Sequence, residues 1–199
     1  MQKLLIATQN MGKLHEIESL LSGVAIELVS PGEINLNITV IEDGETYHEN
    51  AVKKAKGYSE AANLLTLADD SGLEVDALNG QPGIHSARFS SKLNATDEDR
   101  RLALLSALAD FPQPWTARFV CVVVINDPEN GMCFSEGYCS GQIIPKERGN
   151  SGFGYDPIFL VSGTDHTMAE IEMDEKNVIS HRARAIAGLK PHLIQILDQ

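Results

Sequence analysis

The run Asp69-Asp70-Ser71-Gly72 follows the apolar stretch Leu64-Leu65-Thr66-Leu67-Ala68, so two carboxylates stand side by side where a buried strand is expected to end. Adjacent carboxylates repel each other, and both stay ionised only when a cation sits between them. For oxygen ligands that cation is commonly Mg²⁺. The competing reading is a solvated strand exit, since Asp, Ser and Gly are ordinary turn residues.

Four other segments carry groups suited to a phosphate-bearing ligand. Thr8-Gln9-Asn10-Met11-Gly12-Lys13 lies where a first strand should hand over to a first helix. Such a junction aims backbone N–H groups and the helix dipole at an anion, and Lys13 adds a point charge. It is not a P-loop, which would need glycine at Ala7 and a hydroxyl at Leu14. Val40-Ile41-Glu42-Asp43-Gly44-Glu45 is an acidic turn. It either enriches a helix N-terminus in acids or completes a magnesium site with Asp70 through Glu42. In Gly149-Asn150-Ser151-Gly152-Phe153-Gly154-Tyr155-Asp156-Pro157, three glycines surround two aromatics. The rings either stack on a nucleobase or plug the core. In Lys176-Asn177-Val178-Ile179-Ser180-His181-Arg182, Ser180 suits a helix N-cap, which places His181 and Arg182 in a first turn. Both donate hydrogen bonds, as a 6-oxo purine would require, although an Arg beside a His is also an ordinary solvated face.

The elements that must hold these groups follow from periodicity. Residues 3–7 read as a short buried strand, and 13–21 as a helix with Leu14, Ile17, Leu20 and Leu21 inward. Strands are expected at 26–29 and 38–41, and a helix with a basic face of Lys53, Lys54 and Lys56 at 45–62. After the Leu64 strand and its acidic exit comes another apolar segment, 73–78. Thr96-Asp97-Glu98-Asp99 reads as a capped helix start, continued by Leu102, Leu105 and Leu108 to a stop near Pro112. Residues 116–126 and 132–144 form a long hairpin around 127–131, followed by a short strand at 158–161 and terminal helices. This mixture predicts an α/β fold with mixed strand directions and a hairpin-rich lobe.

Composition narrows the function. With 199 residues and 43% hydrophobic content the chain can build one domain, divided into two lobes. A net charge of −12 argues against sequence-independent binding of nucleic acid, but not against a small phosphate ligand held by local cations. The longest apolar stretch, 119–125, is too short for a bilayer, and the polar residues after 3–7 leave no signal-peptide core. Cys121, Cys133 and Cys139 lack CxxC spacing, as reduced thiols in a cytoplasm would.

In this order and at these separations the segments closely resemble the inosine triphosphate pyrophosphatase family. The likeness runs nearly end to end and includes Asn50-Ala51, Lys54-Ala55, 68–73, Pro82-Gly83-Ile84, Ser86-Ala87-Arg88, 152–157 and Ser180-His181-Arg182. It implies a mixed, elongated central sheet with flanking helices and a single pyrophosphatase domain whose lobes surround a central cleft. It also implies hydrolysis of inosine, deoxyinosine and xanthosine triphosphates to the monophosphate and pyrophosphate, with Mg²⁺, in a homodimer. Carried over by position, Thr8, Gln9, Asn10, Met11, Gly12 and Lys13 would hold phosphates, and Asp70 would be general base and metal ligand with Glu42. Ser71 would touch substrate, Phe153, Gly154, Tyr155 and Asp156 would shape the nucleoside pocket, and Lys176, His181 and Arg182 would read the base. Gln9 replaces a glycine often found in the family, a change expected to alter loop flexibility and not the reaction. The alternatives are a pyrophosphatase for modified pyrimidine nucleotides and a nucleotide sensor without turnover.

Overall fold

The computed structural model describes residues 2–197. In chain order its elements are β1 (Lys3–Ile6), α1 (Met11–Leu20), β2 (Glu27–Val29), α2 (Tyr47–Ala62), β3 (Leu65–Val75), β4 (Pro82–Gly83) and α3 (Asp97–Leu108). There follow β5 (Trp115–Asp127), β6 (Gly131–Ile143), β7 (Phe159–Val161), α4 (Met173–Ile179) and α5 (His181–Leu197), with 3₁₀ turns at Asp76–Leu78, Ser86–Arg88 and Asp156–Ile158. The strands order as β2-β1-β3-β5-β6-β7, with β4 paired to β3. β1 is parallel to β2 and β3, whereas β4 and β7 run antiparallel to β3 and β6. The sheet is therefore mixed, as the pattern of strands and helices predicts.

The chain forms two compact units. The first comprises the described parts of Met1–Asp70, Cys121–Gly137 and Arg182–Gln199. Alternate residues of its strands serve opposite layers. Leu4, Ile6, Leu65, Leu67, Cys121, Val123 and Ile125 pack under Leu14 and Ile17 of α1 and Ala185, Ile186, Leu189 and Leu193 of α5. Leu5, Ala7, Ala68, Val122 and Val124 pack under Ala51, Ala55 and Tyr58 of α2. Strands covered on both faces need unbroken apolar runs, which is why residues 64–68 and 119–125 read as they do.

The second unit comprises Ser71–Val120 and Tyr138–His181. Here β5 alternates: Trp115, Ala117 and Phe119 are buried, while Thr116 and Arg118 are exposed. The inward set joins Leu73, Val75, Leu104, Leu108, Cys139, Ile143 and Phe159 in one core. The outward set makes polar contacts, with Arg118 on Glu74 of β3 at 2.7 Å and Thr116 on Asp76 of the following 3₁₀ turn at 2.6 Å.

Three expectations are corrected. Residues 38–41 form no strand: Ile38 and Val40 pack on the α2 layer as an irregular strap, and Ile41 is exposed. Val40 lies so close to Gly57 that a Cβ there would meet it at 2.8 Å, so a glycine in mid-helix admits the strap. β3 does not end at Asp69; it runs on through Asp70, Ser71 and Gly72 to Val75. The segment 73–78 is accordingly the end of β3 plus a 3₁₀ turn.

Leu67→Ala should cost about 2–5 kcal/mol, because a fully buried side chain between two layers leaves a cavity. Arg118→Ala should cost under about 1 kcal/mol, since its partner is reached in water. Urea unfolding of the two variants checks the contrast.

Candidate active site

Because β3 continues, its side chains alternate, and Asp69 and Asp70 belong to opposite layers. Asp69 is buried on the α1 and α5 side. Its Oδ2 accepts from Arg182 Nη2 at 3.0 Å and lies 3.0 Å from Lys13 Nζ. Arg182, also fully buried, gives its other arm to Glu16, which α1 places one turn beyond Lys13. Two cations thus face two carboxylates, and the cluster neutralises itself. Burial by itself would push the Asp69 carboxyl up, but Lys13, Arg182 and Lys54 outweigh it and hold Asp69 far below the usual carboxylate range. The Cys121 thiol at 3.9 Å is pushed up to about 12 by burial and by Asp69, so it stays protonated.

The expected bridging of the two acids by one metal ion is therefore replaced by protein cations on Asp69. Arg182, expected to donate to a base carbonyl, is 1% exposed with its guanidinium on Asp69 and Glu16.

Asp70 faces the α2 layer. Asn50 Nδ2 donates to its Oδ2 at 3.2 Å, and Asn50 Oδ1 accepts the Gly44 N–H at 2.8 Å. One buried amide thus ties the acidic turn to Asp70. Lys54 Nζ reaches the Asp69 carbonyl at 2.9 Å and the Glu42 carboxylate at 2.9 Å. Burial raises the Asp70 carboxyl; Lys13 and Lys54 pull it down, Glu42 and Asp69 push it up, and the net shift is upward. Asp43 pairs instead with the exposed Lys53 at 2.6 Å.

Among the described residues no three His, Cys, Asp or Glu side chains converge as an all-protein metal cage. Asp70 and Glu42 nevertheless fit Mg²⁺, which usually takes one or two carboxylates and fills its remaining positions with water and phosphate. Burial, and then the Glu42 and Asp69 charges, raise Asp70, and a divalent ion would relieve the repulsion between the acids.

The loop before α1 leaves Gln9, Asn10 and Met11 exposed and Thr8, Gly12 and Lys13 half-buried. Asn10 caps α1: its Oδ1 accepts the Lys13 N–H at 3.0 Å, while its own N–H donates to Thr8 Oγ1 at 3.1 Å. The N–H groups of Thr8, Asn10 and Lys13, three of those expected to face phosphate, are thus already engaged.

In the second unit Lys176 and Asp156 form a buried ion pair at 2.7 Å. Asp156 Oδ2 also accepts the Phe153 N–H at 3.1 Å, and the Lys176 ammonium lies 5.6 Å from the Phe153 ring. A Cβ at Gly152 would overlap Asp156 Oδ2, which explains that glycine. Of the two rings, Tyr155 is the core plug: it is buried, and its hydroxyl donates to the Ser86 carbonyl at 2.9 Å. Phe153 remains half-buried. His181 opens α5 directly after Ser180 and stacks on Phe119 at 4.8 Å. Ser71 is half-buried in β3.

Glu16 and Asn50 were not legible as site residues. An outward Glu on a helix has an ordinary surface reading, and Asn50 carries part of the family resemblance without a role; the contacts reveal what each does.

The model of the Ham1 family matches residues 4–192. The chain is 45% identical over 194 residues to the dITP/XTP pyrophosphatase of Geobacter sulfurreducens, covering 97% of each chain. It is 46% identical over 185 residues to that of Desulforamulus reducens, covering 92% of each. Among solved structures, the Ham1 protein of Staphylococcus aureus superposes with a TM-score of 0.85 at 38% identity, covering 98% of this chain and 99% of that one.

Asp69→Asn should destabilise the protein by about 3–5 kcal/mol, because it removes one partner of a buried guanidinium. The pH dependence carries a defined sign. A carboxyl lowered by folding contributes fully above its unfolded value of about 4 and loses that contribution as pH falls toward its folded value. Wild-type stability in urea should therefore fall more steeply below about pH 4 than that of Asp69→Asn.

Proposed function

The chain belongs to the Ham1 family, and on that premise we propose that it is a house-cleaning pyrophosphatase hydrolysing inosine, deoxyinosine and xanthosine triphosphates to the monophosphate and pyrophosphate. The observation that carries the reading is a buried Asp70 carboxylate held by Asn50 at 3.2 Å, next to the ion pair of Lys54 and Glu42. A carboxylate fixed in place beside a second acid and a cation suits both a divalent ion and an attacking water. Phosphoryl chemistry asks little else of a protein than placement and charge.

Thr8, Gln9, Asn10, Met11, Gly12 and Lys13 bind the phosphates, with Lys13 exchanging part of its contact with Asp69 for phosphate oxygen. Asp70 takes the proton from water, and Asn50 keeps that carboxylate in place. Asp70 and Glu42 would hold Mg²⁺, which would supply charge neutralisation of phosphate oxygens and a more acidic water. Phe153 offers a ring face to the base, and Lys176 and His181 supply donors that favour an oxo group over the amino group of adenine. Arg182 holds Asp69 in place instead of touching the base. The absence of CxxC spacing among Cys121, Cys133 and Cys139, all free thiols, supports a cytoplasmic setting. Among the described residues no helix is long and apolar enough to cross a membrane. The functional unit is a homodimer.

Asp70→Asn should lower magnesium-dependent pyrophosphate release from inosine triphosphate by about 100-fold or more while leaving the fold intact. Wild-type protein without such release would overturn the reading. Lys13→Ala should weaken all triphosphates alike, whereas His181→Ala should lower the inosine-to-adenosine preference; kcat/KM for the two substrates distinguishes these outcomes.

A further inference from the structure

The loop that carries Phe153 is gripped from outside by the first turns of α3. Asp97 Oδ2 accepts the Gly154 N–H at 2.8 Å, and Arg101 Nη1 donates to the Gly154 carbonyl at 2.9 Å. These two bonds fix the peptide groups on both sides of Gly154, whose φ of +61° lies in the left-handed region. Arg101 also binds Glu147 with two bonds, at 2.8 and 3.0 Å, so one guanidinium holds the start and the middle of the same loop. Asp97 is itself held by Arg100. Together with the Asp156 carboxylate on the Phe153 N–H, the clamp leaves the backbone that sets this half-buried ring little freedom.

We propose that Asp97 and Arg101 are positioning residues for the nucleobase, holding the peptides around Gly154 so that the Phe153 ring is already in place when a purine arrives. The proposal rests on the reading that Phe153 faces the base. An unclamped loop must be ordered during binding, which weakens the base contribution by about tenfold and leaves the phosphate contribution alone. Side chains outside the pocket thereby set its affinity.

The test compares two probes by calorimetry in magnesium buffer: inosine monophosphate, which carries the base, and inorganic tripolyphosphate, which does not. Asp97→Ala and Arg101→Ala should each weaken inosine monophosphate about tenfold and change tripolyphosphate less than twofold. KM for inosine triphosphate should rise while kcat falls less than about threefold. Asp97→Asn, which keeps an oxygen acceptor, and Arg101→Lys, which keeps a donor, should recover most of the loss. Equal weakening of both probes would mean general structural damage and overturns the proposal, as does unchanged affinity for inosine monophosphate. Wild-type protein that binds tripolyphosphate but not inosine monophosphate overturns the base-facing role of Phe153, and the clamp's role with it.

Discussion

The pairing of Asp69 with a fully buried arginine is the constraint on which the site depends. Arg182 cannot be desolvated without carboxylates, and Asp69 and Glu16 supply them from β3 and α1. That arrangement fixes the start of α5 and the inner face of α1 against the same strand. It also decides the fate of the next residue. A strand alternates its side chains, so an acid committed to one layer leaves its neighbour facing the other. There Asp70 meets Asn50, with Lys54 and Glu42 nearby, and its proton affinity rises where that of Asp69 falls. Two identical side chains thus acquire opposite chemistry from one change of face. Perturbation of this kind in neighbouring acids is common where one group must accept a proton.

Lys13 connects the two halves of this arrangement. Its ammonium rests on Asp69 and also pulls the Asp70 carboxyl down, so it belongs to the structural cluster and stands next to the proposed general base. On the proposed function Lys13 binds phosphate, and its hold on a buried carboxylate orients it before any ligand arrives. Phe153 has a similar character in the second unit. Asp156, paired with Lys176, holds its N–H, while Asp97 and Arg101 hold the peptides beyond it. In both places the groups assigned to substrate have their freedom removed in advance by ion pairs.

Much of this was legible in the sequence, for definable reasons. The hairpin of β5 and β6, the capped start of α3 at Thr96 and the helix after residue 45 carry strong local signals, and each lies within a few residues of its expected place. The resemblance to inosine triphosphate pyrophosphatases agrees with the Ham1 match and with the superposed structures. The misjudged segments are those where tertiary contacts outweigh local pattern. Asp-Asp-Ser-Gly reads as a turn because lone acids rarely continue a buried strand, and Arg182, 113 residues after Asp69, together with Lys13 makes continuation tolerable. Residues 38–41 alternate like a strand but have no strand beside them, and Gly57 instead admits them as a strap. That Tyr155 is a core plug shows only in its burial and its hydrogen bond to the Ser86 carbonyl. No spacing rule contains that information.

The division between Asp69 and Asp70 can be observed directly by carbon-13 NMR of the aspartate carboxyls as the metal-free protein is titrated with acid. The account predicts that Asp70 takes up its proton above the ordinary aspartate value of about 3.9, while Asp69 stays ionised for as long as the protein remains folded. Protonation of Asp69 before Asp70, or of both together near the ordinary value, would contradict it.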